Sequence, residues 1–246
     1  FHELMLLTTR GIVFNQVKYG ETSNIAKIYT RHSGLQSFLI RGARSKHARI
    51  RSAHLQHLTL IEMEVNQRSN KEIQYLKSLK ILHPFRDIPF NVKKSAIAVF
   101  LNEVLYKVIR EEEKNPELFS FLFNGIQLLD LKTGSLSLFH HLFLVRLSRY
   151  LGFYPRDNRS SRLENFNLQE GEFTDVSGTE NLIATPPLSH YLHELMLINF
   201  EDLDGLVIPA ASRQGLLEML LNYYRLHIPG FVNVKSHLVL AEVFSK

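Results

Sequence analysis

Apolar residues recur every second position through the first third of the chain, and every third or fourth position through most of the rest. A period of two belongs to strands and a period near 3.6 to helices, so the sequence predicts a strand-built beginning and a helical remainder. Residues 8–19 form an extended run rich in Thr, Val, Ile and Phe that closes on the turn-like Tyr19, Gly20 and Glu21. Ile25, Lys27 and Tyr29 alternate with Ala26, Ile28 and Thr30 in a second strand that stops before Ser33 and Gly34. Residues 35–41 alternate again, with Phe38 and Ile40 on one face and Leu39 on the other. Ile61, Met63 and Val65 alternate with Leu60, Glu62 and Glu64, and a fifth run spans residues 72–81 after a polar turn at 66–70. Five short strands, with one longer connection between the third and the fourth, are the layout of an OB-fold, a small Greek-key barrel. The same count also suits an SH3-like barrel.

His83, Pro84 and Phe85 end this pattern. From Ser95, the residues Ile97, Phe100, Leu101, Val104, Leu105 and Val108 form one stripe of an amphipathic helix, which ends at Glu111, Glu112 and Glu113. Those three glutamates point in different directions on a helix, so they read as a solvated end and not as a magnesium site. Pro116 opens a second helix, a position where its missing N–H costs nothing, through Leu118, Phe119, Leu122, Phe123, Ile126 and Leu129. Gly134 separates it from a third over residues 136–151, and Leu217, Leu220, Leu221, Tyr224 and Ile228 repeat the stripe near the end. Between Gly152 and Pro187 the helical signal stops; residues 166–173 read as a hairpin in an insertion too short to hold its own core. The expected class is therefore α+β: a five-stranded OB-fold barrel over residues 5–81, an α-helical domain over 82–246, and a small hairpin-containing insertion over 153–187. Phe1, His2, Glu3 and Leu4 precede Met5, a natural-looking start, and are expected to be an expression remnant.

Charge turns the barrel into a candidate binder. The 246 residues carry 29 Lys and Arg against 24 Asp and Glu, a net +5. The excess is one-sided: residues 1–80 hold 13 against 5, and residues 81–246 hold 16 against 19. No acidic residue occurs between Glu21 and Glu62, and inside that gap Arg41, Arg44, Lys46, Arg49 and Arg51 fall within eleven residues, together with His47. Unrelieved like charge destabilises a compact state, so an acid-free window of this length suits a surface that meets a polyanion. A lone charge run is more often only a solvated loop. Here the run falls in the long connection at the barrel rim, where it can follow a phosphate backbone.

There is no cysteine, which excludes disulfides, thiolate catalysis and sulfur-ligated zinc and fits a reducing compartment. No apolar run is long enough to span a bilayer and no signal-peptide layout is present, so a cytoplasmic protein is expected. Catalytic patterns are missing: there is no GxxxxGK[ST], GxGxxG, GxSxG or HExxH, and no Ser, His and Asp are placed together by their order. The pairs His54/His57 and His190/His193 have helical spacing but no clustered carboxylate, and are not read as metal sites. The chain is not expected to be an enzyme or to need a cofactor.

The order Gly11-Ile12-Val13, Tyr19-Gly20-Glu21-Thr22-Ser23, Thr30, Gly34 and Arg41-Gly42-Ala43-Arg44 resembles the N-terminal barrel of the RecO recombination mediator family. The likeness continues through Leu105, Pro116-Glu117-Leu118-Phe119 and Leu151-Gly152-Phe153-Tyr154-Pro155, and ends at Tyr223-Tyr224-Arg225-Leu226-His227 and Lys235-Ser236. It covers nearly the whole chain. It implies an OB-fold, a helical C-terminal domain and a zinc-ribbon-like insertion. It also implies binding of single- and double-stranded DNA, annealing of complementary strands, and loading of the RecA recombinase on strands coated by single-strand-binding protein, together with RecR. Such a protein would act in the bacterial cytoplasm and join the nucleoid during repair. Many relatives carry four zinc-binding cysteines just after the Leu-Gly-Phe/Tyr-x-Pro segment. Here that segment holds Arg156, Asp157, Asn158, Arg159, Ser160, Ser161 and Arg162, so zinc is expected to be absent and Phe166 and Phe173 to hold the insertion by packing.

For DNA, the phosphate-binding residues expected are Arg41, Arg44, Lys46, Arg49 and Arg51, with Arg10 and Lys18 as extensions of the groove. Tyr29 is an expected stacking residue, and Tyr19, Phe38 and Tyr75 are further aromatic candidates. For the acidic, apolar-ended tail of single-strand-binding protein, the expected receptor is Leu142 and Phe143 beside Arg146 and Arg149 on the third helix. Two rivals are a non-catalytic RNA-binding barrel, which a basic face does not distinguish, and a nuclease. The nuclease needs carboxylates near the groove, and the acid-free window argues against them.

Overall fold

The first five strands close on themselves. The structure, a computed structural model, describes residues 5–67, 71–110, 113–178 and 182–245. Residues 1–4, expected to be an expression remnant, the far part of the turn after Gln67, and Glu111 and Glu112 lie outside these residues. Strands β1 (Met5–Tyr19), β2 (Ser23–Thr30), β3 (Gly34–Ile40), β4 (Leu60–Gln67) and β5 (Ile73–Ile81) form a closed barrel in the order β1-β2-β3-β5-β4. Only β3 and β5 run parallel. This is the OB-fold order.

The long β1 serves two neighbours, pairing with β4 up to Ile12 and with β2 from Gly11 onward. Gly11 sits at that exchange, where an added Cβ would lie 2.7 Å from Cγ2 of Ile28, so the close approach needs glycine. The buried phase of the alternation fills the interior with Val13, Ala26, Ile28, Phe38, Ile40, Ile61, Met63 and Val65. The connection from β3 to β4 adds Ala43, Ile50 and Leu55 to the same core.

Helices α1 (Val92–Val108) and α2 (Pro116–Leu131) complete the first of two compact units, which part after Leu131. The boundary expected at 81/82 coincides with the end of β5, while the compact unit continues through α2. Asn91 caps α1 by accepting from the backbone N–H of Lys93 and Lys94. The turn leading into α1 is clamped by buried Asp130, whose carboxylate accepts from the backbone N–H of Arg86, Asp87 and Ile88 and from Nε2 of His83. Burial alone would push this carboxyl up, but those donors outweigh it and hold its pKa below the ordinary value.

The second unit contains α3 (Phe139–Tyr150), α4 (Leu188–Leu197), α5 (Ala210–His227) and α6 (Ser236–Ser245). Its insertion is a three-stranded sheet of β6 (Asn165–Asn167), β7 (Glu172–Thr174) and β8 (Ile183–Ala184), with Phe166 opposite Phe173. Those two rings are buried edge to face at 5.2 Å, and Tyr223 packs on Phe166 at 5.6 Å. The Asn158 side chain donates to Phe173 O and accepts from Phe173 N, tying the loop to β7 as a strand would. Phe153 is ringed by Tyr223, Tyr224 and His227 of α5 at 5.5, 5.0 and 5.1 Å, and its carbonyl accepts a 2.6 Å hydrogen bond from the Tyr223 hydroxyl. Two segments that carry the resemblance thus meet across seventy residues of sequence.

Candidate nucleic-acid interface

The basic stretch leaves β3 through Gly42, whose φ of +65° makes a tight turn that L side chains resist. Ala43, Ile50 and Leu55 then hold the loop to the barrel, and the backbone bonds Arg44 N to Thr22 O (2.9 Å) and Ser52 N to Ala43 O (3.3 Å) fasten it at two further points. With the apolar residues turned in, the cations are turned out: Arg41, Arg44, Lys46, Arg49 and Arg51 are all exposed. Among the described residues none of the five is ion-paired with a carboxylate. Arg44 donates to the Gly20 carbonyl, and Arg41 lies over the Tyr75 ring at 4.8 Å with Nη2 3.4 Å from its hydroxyl. Neither contact neutralises charge, so the rim keeps its full positive field.

Beside the rim, the outward phase of the barrel carries an apolar row among polar residues. Val17 pairs with Ile25, Ile25 with Leu39, and Leu39 with Tyr75, so these four register partners share one face of β1, β2, β3 and β5. Ile25, Leu39 and Tyr75 are half-buried, while Val17 is exposed, as are the flanking Tyr19 and Ile73. Two grooves adjoin here and share Leu39 and Tyr75. One, of about 620 Å³, is cationic, with Arg41, His47, Arg49 and Lys77 in its walls. The other, of about 560 Å³, has Tyr19, Ile25 and Ile73 as its floor, with Lys71 and Glu72. In an OB-fold this face and its bordering loops are where oligonucleotides bind.

The structure redistributes the residues expected from sequence. Tyr29 is 2% exposed, stacked on Phe14 at 6.0 Å and tilted against Phe119 at 6.0 Å; it is a core residue with no face open to a base. Phe38 is core for the same reason. Lys18 pairs with Asn24, which pairs with Ile40, so it lies at the rim end of the barrel. Arg10 does not: it is eight residues back along β1, about 26 Å at the usual strand rise, opposite Glu62 and near the Phe123 ring.

On α3, Leu142 and Phe143 are fully buried and can receive no ligand. Arg146 donates to Ile198 O, Asn199 and the Tyr154 hydroxyl, and Arg149 covers the Tyr154 ring at 4.4 Å. The α3 stripe is a packing face, because helical periodicity marks burial and not access.

Sequence reasoning missed Val17, Ile25, Leu39, Ile73, Lys71 and Lys77. A signal was present: in β2, β3 and β5 the outward phase, which also carries Lys27, Ser37 and Lys77, includes Ile25, Leu39, Ile73 and Tyr75.

The insertion does not fit a zinc ion. It has no thiolate, Asp157 accepts from Nε2 of His193 at 3.1 Å, and Arg156 pairs with Glu172 at 3.0 Å. Among the described residues no three His, Asp or Glu side chains converge on a position where a metal could sit.

Two family models match the chain: Recombination protein O N terminal over residues 5–85, and Recombination protein O C terminal over residues 89–236. The chain is 40% identical over 241 residues to the DNA repair protein RecO of Bacteroides fragilis, covering 98% of this chain and 100% of that one. It is 37% identical to the protein of that name from Phocaeicola vulgatus and 35% identical to that from Flavobacterium psychrophilum, each over 98% of this chain and 100% of the relative.

Proposed function

The chain belongs to the recombination protein O (RecO) family of DNA repair and recombination proteins, and on that premise we propose that it is a recombination mediator that binds single- and double-stranded DNA and anneals complementary strands. It then helps to load RecA on strands coated by single-strand-binding protein, with RecR as its partner, at the nucleoid in the cytoplasm. The observation that carries this reading is the outward, carboxylate-free array of Arg41, Arg44, Lys46, Arg49 and Arg51 bordering an OB-fold groove.

Annealing asks for no bond-making chemistry. Two polyanions repel each other, and cations held at fixed positions on the protein replace the diffuse counterions of each strand. The strands can then approach closely enough for pairing to nucleate. Phosphate contacts carry no sequence information, so binding is nearly indifferent to sequence and steeply dependent on salt. Acting by binding alone, the protein is a mediator and not an enzyme.

The tail of single-strand-binding protein needs an apolar pocket beside a cation. The α3 face is closed. A cleft of about 280 Å³ in the second unit offers Leu217, Leu240 and Phe244 beside Arg213, with Glu218 also in its wall. Loss of tail-peptide binding in Arg213→Glu with folding intact is the expected outcome there.

A strand-annealing assay with and without single-strand-binding protein tests the whole reading, run on wild type and on Arg41→Ala/Arg44→Ala/Lys46→Ala. Wild type should accelerate annealing and the triple variant should not. Equal rates for the two would remove the rim from the mechanism, and competition between matched DNA and RNA strands separates a DNA mediator from an RNA-binding barrel.

A further inference from the structure

Helix α1 is apolar on two sides. Ile97, Phe100, Leu101, Val104 and Leu105 are buried in the first unit, while the opposite side carries a second row, Val92, Val99 and Tyr106, exposed by 70%, 52% and 41%. Phe90, just ahead of the Asn91 cap, extends this row and is 83% exposed. The members of the row are seven residues apart, an interval that returns a helix to nearly the same direction, so they form one seam about 21 Å long. The buried stripe alone serves the fold of the unit. A contiguous apolar row left in water marks an interaction surface.

Charge identifies what fits it. One flank of the seam carries Lys93 near its start and Glu103 past its middle, the latter 3.9 Å from Lys107. The other flank is uncharged: Ser95 and Ala98 line a groove of about 330 Å³ there, with no Asp, Glu, Lys or Arg in its walls. Glu103 beside the seam repels a phosphate backbone or an acidic tail. A second α1, turned end for end, matches the pattern instead. With a twofold axis at Val99, Val92 of each copy lies level with Tyr106 of the other, and Val99 meets Val99. Lys93, six residues before the axis, then comes within about 3 Å along the helix of Glu103, four residues after it, on the same flank. A surface that complements itself in this way is what a twofold interface requires.

We infer that the outer face of α1 is a homodimer interface, in which two copies pair antiparallel through Val92, Val99 and Tyr106 and are held in register by two Lys93–Glu103 pairs. Phe90 closes each end of the seam beyond Tyr106. One helix face per copy makes a small interface, so the dimer is a weak and reversible one.

This pairing stands apart from the DNA reading but bears on it. A dimer carries two cationic rims, so two strands can be held in one particle, and their meeting becomes an event within that particle.

The chain has no cysteine, which makes crosslinking an unambiguous test. Under mild oxidation Val99→Cys should crosslink to itself. Val92→Cys should crosslink to Tyr106→Cys in a mixture but not to itself, since the two copies of position 92 lie about 21 Å apart along the helices. Sedimentation of the full chain without DNA, from about 1 to 100 µM, should show a dimer that grows with concentration. Val99→Glu sets two carboxylates at the axis and should weaken that dimer about 100-fold or more. Lys93→Glu and Glu103→Lys should each weaken it about 2- to 10-fold, and the double exchange should restore it. Circular dichroism checks the fold, and Val92→Ser/Tyr106→Ser reads the same face should Val99→Glu not fold.

A wild type that stays monomeric throughout this range would overturn the inference. So would a folded Val99→Glu that dimerises as wild type does, or a Val92→Cys that crosslinks to itself as readily as Val99→Cys.

Discussion

The cleanest perturbation of the rim is Lys46→Ala/Arg49→Ala. Arg41 positions Tyr75 and Arg44 donates to the Gly20 carbonyl, so removing either disturbs more than charge. Lys46 and Arg49 are exposed side chains with no carboxylate partner among the described residues. Suppose each of the five rim cations neutralises one phosphate of a single strand. Each contact then contributes about −0.7 to the slope of log K against log salt, giving about −3.5 in all. Between about 50 and 200 mM salt, wild type should lose about 130-fold in affinity. The double variant keeps three contacts, a slope of about −2.1 and a loss of about 18-fold over the same range. The two titration lines therefore converge as salt rises. Anisotropy of a labelled oligonucleotide at five or six salt concentrations measures both slopes. Parallel lines would refute the reasoning, because a loss independent of salt is not a loss of counterion release.

Three further outcomes come from the packing. Asp130→Ala leaves the N–H groups of Arg86, Asp87 and Ile88 without their acceptor and should cost about 3–5 kcal/mol in urea unfolding, the range for a broken buried charged network. Because the folded pKa of Asp130 is lowered, its contribution is complete above the ordinary carboxylate value and is lost as pH falls through the folded value; the variant should lack that acid-side share. His141 is buried and donates from Nε2 to Arg213 O, and burial first, opposed by that hydrogen bond and aided by the Arg213 charge, brings its pKa from 6.5 down to about 4. Stability should therefore fall as pH drops from 6.5 towards about 4, where the unfolded chain binds the proton first, and His141→Gln should flatten that slope in unfolding midpoints measured across the window. Phe166→Ala should destabilise by about 3–5 kcal/mol, since it removes the ring on which Phe173 and Tyr223 meet, while a chelator should leave the unfolding midpoint of wild type unchanged.

The barrel was legible because the core phase of each strand is continuous. Ala26 and Ile28, Phe38 and Ile40, Ile61, Met63 and Val65 all point inward, and on β2, β3 and β4 nothing on that phase is charged. The α1 stripe of Ile97, Phe100, Leu101, Val104 and Leu105 was legible for the same reason, and each of these is buried. What escaped was short or unperiodic. The two residues of β8 have no period to detect, and their place in the sheet depends on β6, sixteen residues earlier. The attachment of α2 to the turn before α1 escaped too. Asp130 ties α2 to the turn before α1 through hydrogen bonds to backbone N–H groups, and a backbone donor leaves no trace in side-chain patterning.

The site divides along the same line. The cations of the rim were visible because a forty-residue absence of acid is a property of composition and needs no geometry. Their orientation was not, and it comes from uncharged residues: Ala43, Ile50 and Leu55 bury themselves and thereby set the arginines and the lysine on the outside. Two of the four aromatic candidates, Tyr29 and Phe38, were misplaced because aromatic character was weighed without phase. Tyr29 and Tyr75 read alike as strand tyrosines, yet Tyr29 lies between Phe14 and Phe119 and Tyr75 lies on the groove wall. An anchored loop also changes the energetics of binding. A free loop of eleven residues would lose its conformational freedom when DNA bound, and that cost would offset much of the counterion release. Here the hydrophobic anchors and the bonds to Thr22 and Ala43 have already ordered the backbone, so what remains to be ordered is the side chains alone.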